Sequence, residues 1–379
     1  MNPEVKTVWL RESFPWMGGH SGYELVCDTV AGLRPGKCQN VYKLPLPYPC
    51  LTKKLLRPIT RRVKQSPTYD DTSTKAELDA LWRIFSSKAG LVHTVYVERG
   101  LGLLPDWKNR LSFNLVGTAH QPAGLWRLGR HDPASLKGLD ALIVLSSREV
   151  SYFEEYLPNR VHFIPHGVDL DFFSPEKHIL SGGQSPRFVF CGTWLRDLST
   201  LADVIDALLL KNPSIKFDMV VPASKRGNPE FYRISRHAQV TWHGGISNED
   251  LRGLYRRATG LLLPLIDCTA NNALLEAIAC GVPVVSNDVG GIPDYTDDSF
   301  AELLPVGDVS GMVEAVLRLI EDKPYQRQRG VAARQFAEKN LRWDDIAART
   351  MQVYESVLNG TSLKAADLRQ KSLSETALS

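Results

Sequence analysis

Several things are missing from this sequence, and each absence removes a class of protein. No stretch approaches the ~20 consecutive apolar residues that a membrane-spanning helix needs. The opening run, MNPEVKTVWLRESFP, has no apolar core behind a basic flank, so no signal peptide is expected. Six cysteines (Cys27, Cys38, Cys50, Cys191, Cys268, Cys280) include no C-x-x-C pair, and several sit in apolar contexts. Reduced buried thiols are expected rather than a zinc site or disulfides, which suits a cytoplasmic enzyme. No acidic pair of a metal-holding kind is present, and no repeat beyond two sheet-forming halves. Charge of one sign is not in excess either. The net charge is +3, with 22 basic and 15 acidic residues in 1–168 against 23 and 27 in the remainder. A mildly basic first half suits an anionic partner or membrane surface but is no nucleic-acid signature.

What remains is an ordinary globular chain, 43% apolar and 23% charged. Its 379 residues suit two domains. Residues 266–291, IDCTANNALLEAIACGVPVVSNDVGG, are the organising stretch. They read as loop, helix, buried strand and loop. Thr269, Asn271 and Asn272 are helix-capping types, 273–280 are good helix formers, and Gly281 with Pro283 is a stop signal. Free amides and partial positive charge at such a helix start, at the carboxyl end of a strand, suit a phosphate. Glu276, one turn in, would repel phosphate but accept hydrogen bonds from ribose hydroxyls. The plainer alternative is a first-turn acid that favours the helix dipole, and the local residues leave both open.

The run LLEAIACGVPVVSNDVGGIPD resembles the signature of glycosyltransferase family 4, retaining enzymes of the GT-B fold, well over 189–308 and more weakly before. The resemblance implies an α/β architecture, two Rossmann-like doubly wound parallel-sheet domains facing a central cleft. It implies a hexosyltransferase that moves a sugar from a nucleotide-diphosphate donor, with no cofactor or metal, to a glycan, lipid-linked or small-molecule acceptor, as in cell-envelope polysaccharide synthesis. Glu276 then holds the donor ribose, with Asn271, Asn272 and Ala273 at the diphosphate. Cys268 stands where the family has an earlier Glu, with Asp267 beside it as an imperfect substitute. A nucleotide-sugar epimerase of the same fold and an inactive nucleotide-sugar-binding paralogue are the competing readings.

Taken in order, 5–10 read as a first strand, followed by Gly18-Gly19 opening a helical pattern. This is not a G-x-G-x-x-G fingerprint. The resemblance puts Gly18 and Gly19, and more loosely His20 and Ser21, against the donor diphosphate. Residues 51–64, LTKKLLRPITRRVK, carry six basic residues and no acid. As a helix they would set Lys53, Arg57, Arg61 and Lys64 opposite Leu51, Leu55, Ile59 and Val63, as a membrane-surface segment does. Pro58 argues against one continuous helix, so a solvated basic loop is preferred. Residues 65–75 read as loop. Apolar β-rich runs at 91–97, 111–117 and 141–146, with helical patterns between, are the grammar of a parallel sheet, which binds ligands at its carboxyl edge. His120 follows one such run, and the family commonly has a histidine there near the reacting centre.

Residues 174–186, with SGGQSP, are the composition break taken as the boundary between domains 1–170 and 187–342. After the strand 187–191 the family has a cationic diphosphate clamp. Here Thr193 occupies the usual arginine position, and Arg196 is the nearby cation assigned the role, with pairing to Asp197 as the alternative. Lys225 is the second-choice phosphate contact. Gly244, Gly245 and Ile246 are assigned to the nucleotide base. Residues 343–358 read as an amphipathic terminal helix, which the resemblance implies rejoins the first domain, and 359–379 read as a mobile polar tail.

Overall fold

The structure is a computed structural model in which residues 5–12, 14, 18–63, 66–176, 185–361 and 363 are described. The chain divides into two compact units. One comprises Met1–Pro15, Tyr23–His166 and Trp343–Ser379, the other Trp16–Gly22 and Gly167–Arg342. Of the assigned tail 359–379, residues 362 and 364–379 lie outside the described residues.

The first unit is built on six parallel strands: β1 (Thr7–Arg11), β2 (Cys38–Tyr42), β3 (Leu91–Thr94), β4 (Asn114–Ala119), β5 (Ala141–Val144) and β6 (Val161–Phe163). Their order is β2-β1-β3-β4-β5-β6. On one face Val8, Leu10, Val92, Leu115 and Leu142 pack with Ala76, Ala80 and Ile84 of the helix Asp71–Ser87. Burying each such Leu or Ile contributes about 2 kcal/mol. The helix Trp343–Asn359 belongs to this unit and packs on the helix Leu25–Leu33. Its Tyr354 closes a buried polar chain. Trp9 Nε1 donates to the Tyr354 hydroxyl at 3.2 Å, which meets His93 Nδ1 at 2.6 Å, while His93 Nε2 meets Thr118 Oγ1 at 2.8 Å.

The second unit has β7 (Arg187–Cys191), β8 (Lys216–Val220), β9 (Val240–His243), β10 (Gly260–Leu263), β11 (Val284–Asn287) and β12 (Ala301–Leu304), all parallel, in the order β12-β11-β10-β7-β8-β9. Side chains alternate along each strand. Phe188 and Phe190 face Leu201, Ile205 and Leu208 of the helix Leu198–Lys211, whereas Val189 and Cys191 face Tyr255, Leu274 and Ile278. Strand order reverses between β7 and β10. That is where open α/β sheets leave a crevice for ligands.

Two sequence expectations fail. Residues 49–63 are one helix, Pro49–Val63, rather than a loop, and Pro58 lies inside it. Proline removes one backbone bond, but Leu56 and Thr60 are buried against the helix Asp71–Ser87, and Thr60 Oγ1 meets Thr74 Oγ1 at 2.8 Å. That packing outweighs the lost bond. Of its apolar face, Leu51 and Leu55 are 63% and 67% exposed and Ile59 is exposed, while Val63 packs partly buried against the core. Lys64 lies outside the described residues. The loop expected over 65–75 ends early. A helix begins at Asp71 because Asp70 forms a capping box with Ser73.

Candidate functional site

The site grows from the loops after β7 and β10. Beyond β10 the chain turns through 264–271 and enters the helix Asn272–Ala279, with Asn271 as N-cap. The Asn271 side chain accepts from Leu274 N at 3.3 Å, and its backbone carbonyl accepts from Leu275 N at 3.0 Å. Among the described residues the amides of Asn272 and Ala273 carry no bond, as expected for a first helical turn.

Arg196, after β7, comes to this turn. Its Nε donates to Cys191 O and its Nη1 to Trp194 O, both at 2.9 Å, and its Nη2 reaches Asn271 Oδ1 at 3.4 Å. It is not paired with Asp197, whose carboxylate caps the helix Leu198–Lys211 through Thr200 N and Oγ1. Burial pushes the guanidinium below its usual range, yet no carboxylate among the described residues pairs with it. A half-buried cation and unbonded helix amides together favour an anion.

Glu276 is buried one turn into the helix. Ser21 Oγ donates to its Oε1 at 2.5 Å and the Tyr255 hydroxyl to its Oε2 at 2.9 Å. Burial raises its pKa to about 7, and these two bonds oppose the rise. The carboxylate is therefore held to accept two hydroxyl donors, one on each oxygen. Ser21 belongs to a short segment grouped with this unit. A Cβ on Gly18 would lie 2.1 Å from Asn248 Oδ1, the end of a side chain that can turn aside, and Gly19 is unobstructed. His20 stacks on Phe172 with ring centroids 3.7 Å apart and meets Asp169 Oδ2 at 2.7 Å.

The Gly290-Gly291 turn rests on the same loop. Gly291 N donates to Cys268 O at 2.9 Å, and a Cβ on Gly290, whose φ is +47°, would stand 1.9 Å from that oxygen. Cys268 is buried, and Asp267 Oδ1 accepts from its amide at 2.8 Å. Burial raises the Asp267 pKa.

The remaining candidates fall elsewhere. Lys225 is exposed on a 3-10 turn. Its neighbour Arg226 instead packs over the Trp242 ring at 5.1 Å and donates to Val221 O, with Gly244 beside it. Gly245 adopts φ +68° before the helix Asn248–Arg256, which Ser247 caps, and Ile246 is partly buried against the core. His120 belongs to the first unit, at the end of β4. Its Nε2 lies 2.9 Å from Val95 O, which can only accept, so Nε2 carries the proton. Burial lowers its pKa to about 3, so the ring is neutral. Glu98, raised to about 7 by burial, accepts the amides of His120 and Gln121 at 2.6 and 2.7 Å. Tyr255 carries no functional signal in the sequence, because an aromatic residue on an apolar helix stripe reads as core.

The family model described as Glycosyl transferases group 1 matches residues 185–322. The MMP alpha-(1->4)-mannosyltransferase of Mycolicibacterium hassiacum is 24% identical over 314 residues, 73% of each chain. The alpha-maltose-1-phosphate synthase of Mycolicibacterium smegmatis is 26% identical over 253 residues, 59% of this chain and 65% of that protein. The second alignment thus spans less than two thirds of its relative. Among solved structures, sucrose-phosphate synthase from Thermosynechococcus elongatus superposes with a TM-score of 0.70 at 18% identity, covering 94% of this chain and 100% of that one. Anabaena HepE in complex with UDP and glucose does so with a TM-score of 0.67 at 15% identity, covering 93% and 100%. At such identities the structural likeness speaks for the fold.

Proposed function

We propose that this chain, a family 4-like glycosyltransferase of the group 1 type on a GT-B fold, moves a hexose from a nucleoside-diphosphate sugar, with retention at the anomeric carbon, to a glycan or lipid-linked acceptor. One observation carries the reading: the Arg196 guanidinium meets the N-cap of the helix Asn272–Ala279 at the switch point of the second sheet. As the bond to the sugar breaks, negative charge gathers on the diphosphate. A cation and helix amides already in place stabilise that charge more than they stabilise the bound donor, which is what lowers a barrier. The transfer in this reading runs without a metal.

Glu276 holds the ribose, its hydroxyls taking over the bond now made by Ser21 or joining it. Gly244, Gly245 and Ile246 flank the base, with Arg226 rather than Lys225 as the adjacent cation. His120 acts as a neutral hydrogen-bonding imidazole toward the sugar. No side chain is assigned as a covalent nucleophile, so an oxygen of the departing phosphate takes the acceptor proton on the same face.

The acceptor side of the proposal includes peripheral contact with a membrane. The helix Pro49–Val63 exposes Lys53, Lys54, Arg57 and Arg61 beside Leu51, Leu55 and Ile59, and the helix Asp71–Ser87 exposes Leu78, Trp82 and Phe85 at helical spacing. Basic residues beside exposed apolar ones suit an anionic lipid surface. The described residues form no helix long and apolar enough to cross a membrane. All six cysteines are free thiols, which suits the cytoplasm and the inner face of its membrane.

The test is thermal melting with UDP, GDP and ADP. One of them is expected to raise the melting temperature of the wild type, because a ligand that binds only the folded state stabilises it. Arg196→Gln and Glu276→Ala are expected to fold but lose most of that shift. A full shift in both variants, or none in the wild type, refutes the reading.

A further inference from the structure

Arg226 follows the carboxyl end of β8 and is held from two sides. Its Nε and Nη2 both donate to Val221 O, at 2.9 and 2.7 Å. Its Cζ lies 5.1 Å from the centre of the Trp242 ring on β9. That ring is itself fixed edge-to-face on Phe231, with centroids 5.3 Å apart and planes at 86°. Gly244 lies directly beside the guanidinium: a Cβ there would stand 2.9 Å from Nη2. We propose that Arg226 reads the nucleotide base. It donates from Nη1 to a ring carbonyl oxygen, and so selects a sugar donor built on a keto base, of the uracil or guanine type, over one built on an amino base, of the cytosine or adenine type. The proposal rests on the glycosyltransferase reading and its placing of the base at Gly244, Gly245 and Ile246, and adds the chemical class of base.

The bonds that Arg226 makes define the ones it has left. A guanidinium carries five N–H groups in one rigid plane and accepts nothing. The Nε hydrogen and one on Nη2 are spent on Val221 O. Among the described residues Nη1 makes no bond, so the edge formed by Nη1 and the second Nη2 hydrogen keeps its donors. No carboxylate among the described residues pairs with the charge either. The buried acid of β8, Asp218, is taken by Arg187 at 2.9 Å and His243 at 2.7 Å. Lys225, one residue away, is exposed and has no comparable anchor.

Position separates this role from a phosphate contact. The diphosphate is assigned to Arg196 and the first turn of the helix Asn272–Ala279, at the ends of β7 and β10. The sheet runs β10-β7-β8-β9, which puts Trp242, the platform under Arg226, two strands beyond β7. Neighbouring strands lie about 4.8 Å apart, so the offset is about 10 Å. A ribose intervenes over such a distance, and the base comes after it. Chemistry then sets the preference. A keto oxygen meets the free donors, whereas an amino group in its place turns N–H against N–H and leaves both unmatched. A site built to hydrogen-bond one group rejects the analogue lacking it far more strongly than an apolar pocket does. The bonds to Val221 O and the indole beneath hold the fork before a ligand arrives, so little side-chain freedom is lost on binding. An arginine that merely staples 221–226 together would be indifferent to the base, and that is the outcome the test must separate.

Calorimetry on the full-length protein compares uridine with cytidine diphosphate and inosine with adenosine diphosphate, alongside inorganic pyrophosphate. Within each pair the nucleotides differ only in a carbonyl or an amino group and in the hydrogen on the adjoining ring nitrogen. In at least one pair the keto member is expected to bind about tenfold or more tighter, the scale of one well-made contact between a guanidinium and a base. Arg226→Met keeps an apolar stem over Trp242 and removes the donors. It should bring that ratio to about one and leave pyrophosphate binding as in the wild type. A lower melting temperature in the variant does not disturb this reading, because both members of a pair are measured on the same protein. Equal affinities within both pairs, tighter binding of the amino members, or a ratio that survives in Arg226→Met overturns the proposal. So does an equal loss for all four nucleotides and pyrophosphate in the variant, which would make Arg226 a phosphate contact. A wild type that binds none of the nucleotides overturns the donor assignment as well, whereas binding without regard to the base overturns this proposal alone.

Discussion

The Tyr255 hydroxyl donates to Glu276 Oε2 at 2.9 Å, and so fixes a carboxylate that burial alone would push toward the protonated form. The two residues lie on different helices, Asn248–Arg256 and Asn272–Ala279. With Ser21 on the other oxygen, the carboxylate is oriented before any ribose arrives.

A pH dependence of donor binding is the first expectation. The ionised form of Glu276 accepts hydroxyl hydrogens, and its pKa is raised to about 7. Above that pH the binding form predominates, and below it a proton occupies one acceptor oxygen. The KM for the donor should therefore rise as pH falls through about 7. Tyr255→Phe removes a bond that favours ionisation, so this limb should move to higher pH and donor affinity should drop about fivefold. A profile that is flat, or unmoved in Tyr255→Phe, counts against the assignment.

Arg196→Gln should lower kcat by about 100-fold, the scale for losing one donor to a developing charge. Arg196→Lys should recover part of that, as a point charge without the guanidinium fork. EDTA should leave the wild-type rate unchanged. A rate abolished by chelation and restored by a divalent cation would show that a metal meets the leaving group instead.

Buried His93 should make the protein acid-labile. Its pKa is lowered to about 3 by burial. Between its ordinary pKa of about 6.5 and 3, the unfolded chain takes a proton that the native state refuses. Stability from this group is therefore present above 6.5 and lost as pH falls, by about 1.4 kcal/mol per unit. Urea unfolding at pH 7.5 and 5.5 should lose about 1.4 kcal/mol less in His93→Gln than in the wild type. Equal losses would mean that His93 protonates in the folded state.

Vesicle binding tests the exposed helix pair. Co-sedimentation should be strong with anionic vesicles, weak with neutral ones, and reduced by salt. At about 1 kcal/mol per basic residue, replacing Lys54, Arg57 and Arg61 with Gln should weaken binding about 100-fold. Indifference to lipid charge would remove the membrane from the proposal.

Much of the second unit is legible in the residues themselves. Periodicity, the Asn271 cap and the Gly281 stop locate a helix at Asn272–Ala279 with Glu276 one turn in, whereas Arg196 is assigned only through the resemblance to the family. The helix Pro49–Val63 is less legible, because the proline penalty is local and visible whereas its compensation, Leu56 and Thr60 against another helix, is remote.

The residues in their linear order determined the alternation of strands and helices, the parallel sheets that follow from it, and the types of side chain at each strand's carboxyl end. Those are consequences of periodicity and capping, which act over a few neighbours. Which of these side chains are already spent was decided only by folding. Asp197 turned to cap a helix and left Arg196 to Asn271. Tyr255 and Ser21 came from distant segments to hold Glu276, and Asp70 gave its oxygen to a helix start. Hydrogen-bonding capacity is finite, and its allocation is settled between residues far apart in the chain.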